Sequence, residues 1–331
     1  MDSPKVSLLV PVYNVARYIE RCAVSLFEQT YENIEYIFVD DCTPDNSISV
    51  LLTVIKRYPK LEKRIKILYH ERNRGLAAAR NTAVRASTGK FVMHVDSDDW
   101  IDPHTVEECL NKQKITGAEI VSFEAMVEWG TYQDTMHINP YKSKEDKICQ
   151  MLEGSMMHCV WGALISKRIY TDYNICQIEG VNIGEDYIIT PILHFYATSV
   201  AAIHKPFYHY SFENTNSYVH GFSEKKGEEL WKAIRISEAF FSNKAPIYIK
   251  AINDGKAAHI IDCMIKSIQY HNDLYYEVCC QRLKQLQNID TTRLRIKRRL
   301  VYYLRHKWAR YLYVRYGSSI WNWYKSHLKL K

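Results

Sequence analysis

The chain up to Phe123 alternates short apolar runs with longer amphipathic stretches. Val6–Val12 and Ile34–Val39 are almost wholly apolar, which is typical of strands buried on both faces. Shorter runs predict three more strands, at Ile65–Tyr69, Phe91–Val95 and Ile120–Phe123. Helical spacing of apolar residues predicts the intervening helices Ala16–Glu28, Ile48–Arg57, Leu76–Ser87 and Pro103–Thr116. The alternation indicates an α/β fold with a mostly parallel sheet flanked by helices.

The pattern becomes helical beyond about residue 220. Helices are predicted at Leu230–Phe240, Ile247–Asn272 and Tyr275–Gln287. We therefore expect three parts: an α/β domain over residues 1–219, a helical region over 220–290 and an amphipathic tail over 291–331.

The positive charge of the chain lies in that tail. The formal net charge is +7, yet residues 291–331 hold twelve Lys or Arg and no Asp or Glu, which leaves 32 basic and 37 acidic residues elsewhere. Cations interleaved with Tyr and Trp suit an anionic membrane surface. A basic helix packed on the body of the protein is an alternative, and nucleic-acid binding is a weaker one that we do not expect.

The remaining composition is typical of a cytoplasmic protein. The nine cysteines form no C-x-x-C pair and are expected to be reduced thiols. The start has no cleavage site, and Pro191 breaks the most apolar later stretch, so neither a signal peptide nor a membrane-spanning helix is expected.

Polar residues follow the predicted strands, where ligands bind in such folds. The turn after the first strand, Pro11-Val12-Tyr13-Asn14, has no glycine, and the first glycine of the chain is Gly75. Dinucleotide-binding folds and P-loops need glycine in this turn so that backbone N–H groups reach phosphate. If this chain binds a diphosphate, another group must neutralise its charge.

The run Asp96-Ser97-Asp98-Asp99 could supply that neutralisation. Adjacent carboxylates after an apolar strand repel one another, and a hard cation such as Mg²⁺ or Mn²⁺ relieves this repulsion. Asp96 and Asp98 point to the same side in an extended chain. The alternative is a helix N-cap cluster ahead of Pro103, although Asp102 could serve that purpose alone.

Five ordered motifs resemble glycosyltransferase family 2, over residues 5 to about 215. The motifs are Val6-Ser7-Leu8-Leu9-Val10-Pro11-Val12-Tyr13-Asn14, Ser25-Leu26-Phe27-Glu28-Gln29-Thr30-Tyr31, Val39-Asp40-Asp41, Asn73-Arg74-Gly75-Leu76 with Ala79-Arg80-Asn81, and Asp96-Ser97-Asp98-Asp99. The resemblance implies a GT-A fold, a nucleoside-diphosphate-sugar donor, most often a UDP-sugar, and inversion at the sugar carbon.

The resemblance also implies roles for individual residues. Pro11, Tyr13 and Asp41 would line the nucleoside, Arg74 and Arg80 would lie near the donor, Asp96 would approach the ribose or sugar, and Asp98, with Asp96, would hold the metal. Gly184-Glu185-Asp186 matches the family's later acidic pair, which makes Asp186 the expected base, with Glu185 second. A plain helix start is the alternative, because apolar residues follow at helical spacing.

The sequence thus predicts a metal-dependent inverting glycosyltransferase. It would act on a saccharide or lipid-linked saccharide acceptor in surface polysaccharide or glycolipid synthesis, as a peripheral protein at the inner face of the cell membrane. A metal-dependent nucleotidyltransferase, a glycoside hydrolase and a non-enzymatic membrane adaptor are the other classes that we considered.

Overall fold

The computed structural model describes residues 3–286 apart from 131, 215–220 and 222, together with residues 289, 298, 299, 302 and 316. The chain divides into two compact units. The first consists of residues 1–146 and 157–218, and the second of residues 147–156 and 219–331.

A nine-stranded sheet with flanking helices forms the first unit. Its strands are β1 (Val6–Val12), β2 (Ile34–Asp40), β3 (Ile65–Tyr69), β4 (Phe91–His94), β5 (Trp100–Ile101), β6 (Ile120–Trp129), β7 (Tyr132–Met136), β8 (Ala163–Ser166) and β9 (Val200–Ser211). The order across the sheet is β3-β2-β1-β4-β8-β6-β9-β5, with β7 paired to β6.

The sheet has a parallel half and a mixed half. Strands β3, β2, β1 and β4 are parallel, and all of β1 is buried, as its apolar sequence requires. Strand β8 is antiparallel to both β4 and β6, whereas β6 and β9 run parallel. The predicted α/β class with flanking helices is confirmed, and the later strands add the antiparallel pairings.

Helices flank the sheet of the first unit, and further helices form the second unit. The helices of the first unit are α1 (Ile19–Phe27), α2 (Ser47–Ile55), a 3-10 helix (Pro59–Arg64), α3 (Leu76–Ala86), α4 (Thr105–Thr116), the start of α5 (Lys144–Leu152), α6 (Lys167–Asp172) and α7 (Glu185–Tyr196). The second unit holds the end of α5 and the helices α8 (Glu224–Phe241), α9 (Pro246–Gln269) and α10 (Asp273–Gln285).

Helix α9 forms the centre of the second unit. A methyl group on Gly255 would lie 2.0 Å from the carbonyl oxygen of Leu152, so only glycine permits this approach of α5 to α9. Among the described residues of the tail, Arg298 forms two hydrogen bonds with Asp262, and Tyr302 packs against the core of α9 and α10. Within the described residues, no helix combines the length and apolar character needed to cross a membrane.

Glu35 joins three elements in the parallel half of the sheet. Its side chain is buried and accepts hydrogen bonds from Ser7 Oγ at 2.6 Å, Gly89 N at 3.1 Å and Lys66 Nζ at 3.1 Å. Burial alone would raise the pKa of Glu35, but hydrogen bonds from Ser7 and Thr88 outweigh it and lower the pKa to about 2. The carboxylate therefore stabilises the fold only while it is ionised.

We expect Glu35→Gln to lower the free energy of unfolding at neutral pH by about 2 kcal/mol, since hydrogen bonds to a charged group contribute about 1.5–3 kcal/mol. The folded pKa lies below the ordinary value of 4.5. The wild type therefore has this stabilisation above pH 4.5 and loses it as the pH falls to about 2, whereas the variant has none to lose. Urea unfolding followed by fluorescence at several pH values measures both effects.

Glu62→Gln, in the exposed part of the 3-10 helix, is the matched control. It should leave both the stability and its pH dependence within experimental error of the wild type. Equal pH dependence of stability in wild type and Glu35→Gln would show that Glu35 is not ionised in the fold.

Candidate active site

The acidic loop, residues 96–99 between β4 and β5, is held in place by its last member. Asp99 is fully buried; it accepts hydrogen bonds from Ser211 N and from Tyr208 Oη, both at 2.8 Å. The Tyr208 hydroxyl in turn accepts a hydrogen bond from Asp96 N at 3.0 Å. Burial raises the pKa of Asp99 well above its usual value, and Asp98 adds to the shift. Asp99 therefore anchors the loop to β9 rather than facing a ligand.

Arg80, on α3, is the buried cation of the site. It is 1% exposed, and its guanidinium contacts Asp96 Oδ1 at 2.8 Å, Asp186 Oδ1 at 3.0 Å and Glu185 Oε1 at 3.5 Å. Burial would lower the pKa of Arg80, but Asp96, Asp186 and Glu185 raise it above its usual value. One side chain thus brings the acidic loop and the start of α7 together.

The acidic pair lies at the start of α7, as the sequence predicted. Gly184 precedes it with φ +82°, a conformation that favours glycine, and Glu185 and Asp186 occupy the first turn. Burial is the main cause that raises the pKa of both carboxyls, and the charge of Asp186 helps to bring that of Glu185 to about 8. The segment therefore starts a helix and places two carboxyls with raised pKa beside Arg80, and the role of Asp186 as base stays a prediction.

Residues predicted to contact the nucleoside lie at the carboxyl ends of β1 and β2. Tyr13 follows β1 and is 46% exposed, and Pro11 is buried within β1. Asp41 is also buried, and it accepts hydrogen bonds from Arg74 N at 2.9 Å and Gly75 N at 2.7 Å. Asp41 therefore ties the end of β2 to the loop before α3, and its contact with a base stays a prediction.

The Arg74 side chain points away from this network. It pairs with Glu179 at 2.8 Å, and both side chains are more than a third exposed, so the pair contributes little stability. His70 supports Asp41 instead, with its Nδ1 at 2.7 Å from Asp41 Oδ1 and its Nε2 at 3.0 Å from Thr82 Oγ1. His70 was not predicted as part of the site, and an isolated histidine in a loop gave no signal for it.

A metal would have to be held by few protein ligands. Among the residues that the structure describes, no group of three or more His, Cys, Asp or Glu is arranged to hold a cation. Asp98 Oδ2 accepts a hydrogen bond from Asn214 at 2.9 Å, and Asp96 Oδ1 binds Arg80. The second oxygen of each carboxylate suits Mg²⁺ or Mn²⁺, which bind through one or two carboxylates plus phosphate oxygens. Asn214 was not predicted, because it lies 116 residues from its partner.

Comparison with known proteins decides the family. The family model described as Glycosyl transferase family 2 matches residues 7–173. This chain belongs to glycosyltransferase family 2. This match confirms the predicted resemblance. It also decides between the enzyme classes considered from the sequence, in favour of glycosyl transfer.

Two curated relatives illustrate the similarity within family 2. "Putative glycosyltransferase EpsH" of Bacillus subtilis (strain 168) is 32% identical over 276 residues, which cover 80% of this chain and 78% of that protein. "Putative teichuronic acid biosynthesis glycosyltransferase TuaG" of the same organism is 40% identical over 133 residues, which cover 40% of this chain and 51% of that protein.

Solved structures of glycosyltransferases share the fold. TarS of S. aureus, residues 1–349 in complex with UDP-GlcNAc, aligns with a TM-score of 0.58 at 19% identity over 86% of this chain and 92% of that one. The mannosyltransferase PcManGT from Pyrobaculum calidifontis, in complex with GDP-Man and Mn²⁺, aligns with a TM-score of 0.56 at 18% identity over 86% and 75% of the two chains. The predicted GT-A fold of this family 2 protein is confirmed.

We expect Arg80→Ala to lower the free energy of unfolding at neutral pH by about 3–5 kcal/mol, because it leaves three partly buried carboxylates without their cation. Urea unfolding measures the loss. Arg74→Ala is the matched control, and its exposed pair with Glu179 should contribute about 0–1 kcal/mol. If the two variants were equally stable, Arg80 would not be the cation on which the site is assembled.

Proposed function

We propose that this glycosyltransferase moves a sugar from a UDP-sugar to a hydroxyl of a saccharide acceptor, with inversion and with the help of Mn²⁺ or Mg²⁺. The observation that carries the proposal is the bridge that Arg80 makes between Asp96 and Asp186. The bridge brings the predicted donor-binding loop and the predicted base to opposite sides of one guanidinium, where a single reaction can use both.

The charge of the site supports a divalent cation. Arg80 contacts three carboxylates, and Asp98 and Asp99 lie in the same loop as one of them. A donor diphosphate adds further negative charge, and no glycine-lined backbone cradle is present after β1. Asp98, with Asp96, would hold the cation, which when bound would stabilise the charge on the departing diphosphate. The Mn²⁺ in the PcManGT complex supports this assignment.

The relatives support the proposed donor and product class. TarS is described with UDP-GlcNAc and with UDP, and this supports a UDP-sugar as donor. TuaG is named for teichuronic acid biosynthesis. A surface polysaccharide or glycolipid is therefore the proposed product class, with a saccharide or lipid-linked saccharide as acceptor.

Asp186 takes the acceptor proton in the proposed reaction. The acceptor oxygen forms a bond to the anomeric carbon while its proton passes to Asp186 and the bond from that carbon to the phosphate oxygen breaks. The attack comes from the face opposite the leaving UDP, so the configuration inverts. Arg80 holds Asp186 in position through the 3.0 Å hydrogen bond to Oδ1, and Glu185 lies beside it as the second candidate.

Two variants should separate donor binding from base catalysis. Asp98→Ala should abolish the metal-dependent thermal shift with UDP and the metal-dependent hydrolysis of UDP-sugars. Asp186→Asn should keep the thermal shift but lower transfer by a factor of about 10²–10⁴, since a general base contributes that much. A panel of UDP-sugars with Mn²⁺ or Mg²⁺, with product inversion followed by NMR, makes the measurement.

Asp172→Asn, on the exposed end of α6, is the control and should resemble the wild type in every assay. Unchanged UDP binding in Asp98→Ala, with and without metal, would remove Asp98 as the metal ligand. Unchanged transfer in Asp186→Asn would move the role of base to another residue, and Glu185→Gln would then be the next variant.

The basic tail gives the protein a peripheral place at the inner face of the cell membrane. Its twelve cations each contribute on the order of 1 kcal/mol near an anionic surface. Removal of residues 291–331 should therefore release the protein from phosphatidylglycerol vesicles in a sedimentation assay, while Lys60→Gln with Lys63→Gln should not. Arg298 is already paired with Asp262, so unchanged partition after truncation would favour a tail packed on its own unit.

A further inference from the structure

A row of aromatic rings runs from the acidic loop to the tip of the β6–β7 hairpin. It starts with Tyr208, whose hydroxyl bonds the acidic loop. Trp161 stacks on Tyr208 with ring centroids 4.3 Å apart and on Tyr210 at 5.5 Å. Phe212 contacts Tyr210 edge-on at 5.1 Å, and Trp129 stacks on Phe212 at 6.1 Å with an interplanar angle of 25°. We call these five residues the aromatic row.

Strand geometry explains why the rings share one face. Tyr208 and Tyr210 are alternate residues at the end of β9, and Phe212 directly follows the strand with its N–H bonded to Glu128 O, so the three side chains point to the same side of the sheet. Tyr210 pairs with Val127 of β6, and Trp129 follows two residues later on that same face. From Tyr208 to Phe212 the strand advances about 13 Å at about 3.3 Å per residue. The row therefore leads from the acidic loop towards the edge of the first unit.

Exposure increases along the row. Tyr208 and Trp161 are buried, whereas Trp129 is 68% exposed and its hairpin neighbour Tyr132 is 59% exposed. Single exposed aromatic residues are common on protein surfaces. Here, however, Trp129 forms the outer end of a contiguous row that begins at the acidic loop, and Tyr132 is its cross-strand partner. This continuity with the candidate active site suggests a ligand that extends out of it.

The charge of the hairpin indicates the kind of ligand. Residues 124–137 contain no Lys or Arg. Glu124 is buried and paired with His137 and His204, but Asp134 is exposed, so the surface of the hairpin offers an anionic membrane an acidic group and no Lys or Arg. Carboxylates accept hydrogen bonds from hydroxyl groups, and the negative face of an aromatic ring attracts the C–H groups of a pyranose ring. A glycan carries both kinds of group.

We propose that Trp129, at the outer end of the aromatic row, and its cross-strand partner Tyr132 form a saccharide-binding subsite that holds the distal part of the acceptor glycan while its terminal hydroxyl lies in the site. This inference rests on the proposed function, since the acceptor must enter beside the acidic loop. It predicts that an oligosaccharide binds more tightly than its monosaccharide, because only the longer ligand reaches Trp129.

The test measures binding of chitotetraose, cellotetraose and the matching monosaccharides to the full chain by saturation-transfer NMR. At least one tetrasaccharide should bind the wild type more tightly than its monosaccharide does. Trp129→Ala should weaken that binding about tenfold, and Trp129→Phe should restore most of it, as expected for ring stacking. Tyr270→Ala, which removes a half-exposed aromatic ring at the end of α9, should have no effect.

Three results would overturn the subsite. The first is no preference of the wild type for any tetrasaccharide over its monosaccharide, and the second is equal saccharide binding by Trp129→Ala and the wild type. The third is that Trp129→Ala keeps saccharide binding but partitions less than the wild type to phosphatidylcholine vesicles that contain a quarter phosphatidylglycerol. UDP-sugar hydrolysis without acceptor is measured on the same variants and should not change. Intact hydrolysis together with saccharide binding that Trp129→Ala leaves unchanged would reject the subsite alone. Saccharide binding that depends on Trp129 in a protein without any hydrolysis would reject the proposed function and leave the subsite standing.

Discussion

The ion-pair network of Arg80 is the constraint on which the candidate active site depends. A guanidinium with 1% exposure is stable in the fold only if carboxylates surround it, and those that do come from a loop 16 residues away and a helix 106 residues away. The same carboxylates would repel one another without the arginine. Correct folding and assembly of the site are therefore one event, because neither the cation nor the anions can be buried alone.

The two halves of the sheet contribute differently to the site. The parallel half, β3-β2-β1-β4, places the ends of β1 and β2 beside the loop before α3, where Asp41 fixes the backbone of Arg74 and Gly75. The mixed half supports the acidic loop from the other side through the hydrogen bonds that Asp99 makes with β9. Pairing of β6 with β9 also extends the sheet outward and so creates the aromatic row.

Sequence pattern predicted the parallel half well, because β1, β2 and β4 are buried on both faces and read as nearly continuous apolar runs. Val6–Val12 and Ile65–Tyr69 match the observed bounds of β1 and β3. The mixed half was largely missed. Strand β6 was expected to end at Phe123 but continues to Trp129, where Glu124 and Glu128 alternate with apolar residues, and β5 and β8 are too short to give a pattern. Local sequence could not show that Glu124 is paired to His204 across the sheet.

By itself, the sequence determined the α/β class, the acidic loop and the acidic pair, since each is a local pattern of apolar or charged residues. It could not determine which carboxylate faces a ligand and which is structural. Asp96, Asp98 and Asp99 are chemically alike and adjacent, and only the tertiary structure assigns Asp99 to Tyr208, Asp98 to Asn214 and Asp96 to Arg80. The physical reason is that burial and hydrogen-bond partners, which set the charge and role of a carboxylate, come from residues more than a hundred positions away or on another element.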